Sequence, residues 1–127
     1  MIKKITMSQQ IKSIRPFIGA ENFNLSRSFY TNLGFTESVL SHNMSYFFKE
    51  NFGFYLQDAY VKDWIDNTMV FVEVDDAELY QRQLAAMDLP GKYAGVRLTP
   101  VKHEPWGKEC FLHDPCGILW HFGEFRK

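Results

Sequence analysis

The segment HDPCGILWH at 113–121 gathers groups able to bind a metal or move a proton: His113, Asp114, Cys116 and His121. A zinc site needs four donors, and this segment lacks a fourth once Asp114 is understood as part of the turn. Asp114-Pro115 followed by Gly117 is turn chemistry: a capping carboxylate, a preset φ and a left-handed glycine. Cys116 sits inside that turn, pointing away from the strand faces, and Cys110 reads as a small buried hydrophobe. The second chemical resource is aromatic. Twelve Phe, 6 Tyr and 3 Trp make 17% of the chain. Such residues fill cores, and they also line pockets for flat or apolar ligands. Trp64 and Trp106 fall in a connector and a loop, where core filling explains a large indole poorly.

The chain that must position these groups has 127 residues, the length of one domain. Lys+Arg 14 against Asp+Glu 15, with no basic block longer than two residues, gives no electrostatic footprint for nucleic acid. Two cysteines are too few for a secreted disulfide framework, so a reducing cytoplasm is the expected compartment. No apolar run reaches the roughly 18 residues of a membrane span, and the basic N-terminus lacks the apolar core of a signal peptide.

Residues 1–12 are polar and unpatterned, an expected flexible arm; the rest, 13–127, reads as one domain. IRPFIGA (14–20) is strand-like, with Pro16 at its start. A helix over 24–33 is predicted from an Asn22 or Asn24 cap, Leu25, Phe29 and Leu33 on one face, and Gly34 as left-handed terminator. Strands are predicted at 36–41, 44–50 and 53–58, then a connector at 59–67. The pattern recurs with a strand at 68–74, a helix from 77 begun at Asp75-Asp76 and stopped at Leu89-Pro90-Gly91, and strands at 95–101, 108–113 and 117–124. This is βαβββ twice, in modules of about 13–58 and 68–125. An offset of 54 residues relates the strand–helix parts, placing Ala20-Glu21-Asn22 over Val74-Asp75-Asp76. An offset of 64 is expected for the hairpins, placing Phe47 over Phe111 and Gly53 over Gly117.

At FYTNLGF (29–35), FVEVDD (71–76) and WGKECFLHDPCGILWHFGE (106–124) the chain resembles the vicinal oxygen chelate superfamily, which includes glyoxalase I, extradiol dioxygenases and bleomycin-resistance proteins. The resemblance covers about 14–124. It implies an α+β fold in which two βαβββ modules form a curled mixed sheet, a cup for a ligand, paired within one chain or between two, and a homodimer. It further implies four metal-ligand positions, on the first and last strand of each module. Counting from the motifs places these at Arg15, Gln57, Met69 and His121. Metal enzymes of the group fill at least three with His, Gln or Glu. A guanidinium has no lone pair to give, and a thioether is too soft for the hard divalent ions this chemistry uses. No cofactor is therefore expected.

Strand alternation then sets the neighbours of these four. Phe17 joins Arg15, Tyr55 joins Gln57, Phe71 and Glu73 join Met69, and Leu119 joins His121. The hairpin geometry that the resemblance implies puts Phe47 and Phe111 inside the cup as well, with Lys49, Glu109 and His113 in the same phase. Two readings stand side by side for several residues. His121 is a hydrogen-bonding group or residual base on the cup floor, or a strand histidine satisfied by a neighbour. Arg15 holds an anionic or carbonyl group of a ligand, or pairs with a carboxylate such as Glu73. The aromatic wall is a stacking surface, or ordinary core.

The expected function is a metal-free small-molecule binding protein of the bleomycin-resistance type, of the kind that confers antibiotic resistance. Its ligand site would comprise Arg15, Phe17, Phe47, Tyr55, Gln57, Trp64, Met69, Phe71, Glu73, Trp106, Phe111, His113 and His121. The enzyme alternative is a metal-dependent glyoxalase-like lyase, isomerase or dioxygenase, with a carboxylate such as Glu73 or Glu109 recruited beside Gln57 and His121. A third reading is a degenerate subunit whose cup is filled by its own side chains.

Overall fold

The structure, a computed structural model, describes residues 3–127, so positions 1 and 2 of the expected arm lie outside the described residues. Strand β1 (Phe17–Gly19) leads into helix α1 (Phe23–Leu33), then β2 (Thr36–Ser41), β3 (Met44–Lys49) and β4 (Phe52–Gln57). The helix begins where expected: the Asn22 side chain accepts from the Leu25 amide, and Gly34 ends it at φ 118. Its buried face is Phe23, Ser26, Phe29, Tyr30 and Leu33, while Leu25 lies outward. These strands form one sheet in the order β1-β4-β3-β2, with β1 parallel to β4.

The expected connector holds a short helix, α2 (Lys62–Asp66). Then follow β5 (Met69–Glu73), α3 (Ala77–Ala86), a one-turn helix α4 (Leu89–Lys92), β6 (Arg97–Leu98), β7 (Lys102–Glu104), β8 (Gly107–His113) and β9 (Leu119–Phe125). The second sheet runs β5-β9-β8-β6, with β7 also paired to β8. One strand was expected near 95–101; two short ones flank Pro100 instead. Pro100 lacks the N–H a continuous ladder needs, and Thr99 exchanges bonds with Phe111 at the break through its own N–H and its hydroxyl. The fold is thus α+β, two βαβββ modules with the second edge strand broken.

A single core joins the modules on the helix side of both sheets. Tyr30, fully buried, packs against Phe47, Phe54 and Trp120. Its hydroxyl donates to Asp114 Oδ2 at 2.6 Å and accepts from Trp120 Nε1 at 3.0 Å. Asp114 Oδ1 in turn accepts the amides of Cys116, Gly117 and Ile118 at 2.9–3.0 Å. The turn carboxylate is therefore structural, as its spacing implied.

The ladders revise the internal alignment. Asn22 and Asp76 cap equivalent helices, so the offset of 54 holds for the strand–helix parts. Beyond them it grows. The Ala20 amide donates to Gln57 O, and the Val74 amide donates to Gly123 O, so Gln57 matches Gly123. Tyr46 faces Tyr55 and Phe111 faces His121, so Tyr46 matches Phe111 and Tyr55 matches His121. The uniform hairpin offset fails because the turns differ in length: Glu50-Asn51 closes the first hairpin, whereas Pro115-Cys116-Gly117 closes the second.

Candidate functional site

Away from the shared core, each sheet keeps an open face. On the first, β4 presents Tyr55 and Gln57, β3 presents Met44, Tyr46 and Phe48, and β1 presents Phe17. Phe17 stacks on Tyr55 with centroids 4.8 Å apart, and Tyr46 stacks on Phe48 at 5.4 Å. Arg15 lies across this terrace. Its guanidinium sits 4.2 Å from the Tyr46 ring centroid, and Nη1 donates to the Tyr55 hydroxyl at 3.0 Å. The expected pairing of Arg15 with Glu73 is absent among the described residues; ring faces and a phenol hold the cation instead.

Phe47 is the clearest correction to the expected site. It is fully buried on the helix side, opposite Phe54 and against Tyr30, and lines no open face. The extra turn residue in the second hairpin inverts its phase relative to Phe111, and Tyr46 takes the expected place. Gln57 stays on the open face, but the ladder gives the position equivalent to His121 to Tyr55.

On the second open face, Phe71, Trp106 and Phe125 form one aromatic cluster, with centroids 5.4–5.9 Å apart. A Cβ on Gly123 would meet the Phe71 ring at 2.4 Å and the Trp106 ring at 3.2 Å, so this glycine is the seat on which both rings lie. Gly19 serves Trp64 in the same way at the end of the first face. Met69 and Glu73 project from β5 on either side of Phe71, and both are exposed. His121 faces Phe111, whose ring meets the imidazole edge-on at 4.8 Å. His113 lies at the end of the same row, opposite Leu119. Burial, reinforced by Arg97, lowers the His113 pKa and favours the neutral ring.

One functional pair goes beyond the expected site list. Glu109, nearly buried, places Oε1 2.8 Å from His121 Nδ1. A carboxylate there fixes the ring's orientation and leaves Nε2 as the free nitrogen. The phase of Glu109 with Phe111 was readable from alternation; its contact with His121 depends on the cross-strand register.

No thiol offers a nucleophile. Burial pushes Cys110 up to about 11, and burial with the neighbouring Asp114 charge pushes Cys116 up to about 12. The donor set does not fit a divalent metal either. Of the positions that the resemblance implies, or that the ladder puts in their place, Arg15 is a cation, Met69 a thioether, and Tyr55 already accepts a hydrogen bond from Arg15. No group of three or more His, Cys, Asp or Glu able to hold a metal occurs among the described residues.

The expected single cup is not assembled within one chain: the aromatic contacts form two separate clusters, one per open face, while the modules join through Tyr30, Phe54 and Trp120. Phe17, Met69, Phe71 and Phe125 are left 44–65% exposed. No helix among the described residues is long and apolar enough to cross a membrane.

No protein-family model and no curated protein matches the sequence. Solved structures do. A bleomycin-binding protein from Streptomyces verticillus, solved with copper(II)-bleomycin, superposes with a TM-score of 0.75 at 22% identity, covering 99% of this chain and 100% of that one. A bleomycin resistance determinant encoded on the transposon Tn5 gives 0.76 at 16% identity, covering 92% and 100%. A lactoylglutathione lyase from Agrobacterium tumefaciens gives 0.68 at 15%, covering 91% and 96%. The chain has the fold that bleomycin-binding proteins share with glyoxalase-type enzymes.

Proposed function

We propose that this chain is a member of the vicinal oxygen chelate superfamily, in its bleomycin-resistance branch, and sequesters a planar aromatic ligand without a metal. The observation that carries the reading is the stacked terrace of Phe17, Tyr55, Tyr46 and Phe48, an aromatic surface held on an open sheet face rather than in the core. Ring stacking and release of water from such a surface supply affinity without covalent chemistry. The two cysteines, free and poorly acidic, suit a reducing cytoplasm.

The protein works as a homodimer in this reading. Exposed apolar side chains on both open faces give each a hydrophobic surface for the other to cover. Closing one face over its partner's second face forms the cup that a single chain leaves open. Titration calorimetry with bleomycin and with planar aromatic probes tests the binding function. Heat of binding that saturates at one ligand per cup supports it, and silence up to high micromolar concentration removes it.

The Glu109–His121 pair favours a second reading, an enzyme that moves a proton from the Nε2 side of the ring. Elemental analysis of the purified protein bears on its metal-dependent form. Stoichiometric Ni, Zn, Mn or Fe that disappears in His121→Ala would replace sequestration by glyoxalase-like chemistry.

A further inference from the structure

We infer that the recess on the first open face selects a planar aromatic carboxylate and disfavours a cation, an inference that rests on the open faces being the ligand site. The recess, about 380 Å³, is lined by Lys12, Arg15, Tyr46, Phe48 and Glu50 among others.

The rings that would attract a cationic ligand are already engaged by one. Arg15 lies over Tyr46, and its Nη1 bond to Tyr55 fixes the guanidinium plane. A second cation would have to displace this group or sit against it, and a guanidinium cannot escape by deprotonating. Among the described residues no carboxylate lies within ion-pairing distance of Arg15, and only one of its five N–H donors has a partner. Lys12 adds positive charge at the lining, against the single carboxylate of Glu50. The solvent-facing donors of Arg15 match a carboxylate, which accepts two parallel N–H bonds from one guanidinium. Phe48, stacked on Tyr46 at an interplanar angle of 19°, extends the ring surface for an aromatic body carrying that carboxylate.

The test is titration calorimetry of the full chain with three probes of one shape: naphthoate, naphthamide and naphthylmethylammonium. Naphthoate is expected to bind about tenfold tighter than naphthamide, with the ammonium weakest. Arg15→Gln is expected to bring naphthoate to within about twofold of naphthamide at whatever affinity the two then share, because only naphthoate loses charge-assisted bonds. Arg15 is exposed, so this variant folds as the parent does, and circular dichroism checks it. If the ammonium equals or exceeds naphthoate, or if Arg15→Gln keeps the carboxylate preference, this inference falls while aromatic sequestration stands. If none of the three binds, both fall together.

Discussion

At Asp114 one buried carboxylate satisfies three backbone amides and the Tyr30 hydroxyl, the Ile118 amide and that hydroxyl being buried with it. Burial raises both its pKa and that of Tyr30, and both groups are engaged in these fixed hydrogen bonds. Asp114→Ala strands the buried Ile118 amide and Tyr30 hydroxyl without a partner. The expected cost is about 3–5 kcal/mol, read as a lower urea midpoint. Asp114→Asn restores an acceptor for the turn amides and is expected to recover part of the loss. The raised Asp114 pKa has a definite sign in pH dependence. Folding favours the protonated acid, so this group's contribution falls as pH climbs from the ordinary aspartate range through its folded value.

Between elements the sign reverses. Arg27 on α1 reaches Glu37 on β2 at 2.6 Å, and Ser45 on β3 donates to the same carboxylate, so three elements meet at one group. The Arg27 hydrogen bond holds the Glu37 carboxyl below its ordinary range, against the opposing effect of burial. Stability from this contact is full above the ordinary value of 4.5 and is lost as pH falls through the lower folded value. Urea midpoints measured between about pH 2 and 6 are expected to show Glu37→Gln trailing the parent at the upper end and converging at the lower. The elements themselves were largely legible. Asn22, Gly34 and Asp76 announce the helices because caps are local chemistry, and Pro115 with Gly117 announces the second hairpin. Register was not legible. YFF at 46–48 sets three aromatic rings in succession, so period-two alternation cannot say whether Tyr46 or Phe47 faces the open side of the sheet. One residue more in the second hairpin turn decides it, and counting from the motifs assumed equal turns. The parallel pairing of β1 with β4, which gives Tyr55 rather than Gln57 the place of His121, joins segments far apart in sequence and leaves no local signature.

For the molecule as a whole, the exposed aromatic faces set the expected assembly. Beyond them, Ile5, Met7 and Ile11 in the N-terminal arm and Ile14 just after it are 80–85% exposed. Sedimentation velocity is expected to find a dimer. Phe71→Glu, which sets a charge on the seat formed by Gly123, is expected to shift it toward monomer; a parent sedimenting as a monomer at all concentrations would contradict the paired cup.

The hydroxyl–carboxylate–indole relay through Tyr30, Asp114 and Trp120 runs from the first βαβββ half into the second. Cutting the gene between the halves would leave each fragment with severed partners and bare aromatic rings, so neither is a viable product by itself. The two βαβββ halves are expected to depend on each other for folding, so that only co-expression of both pieces regenerates the fold.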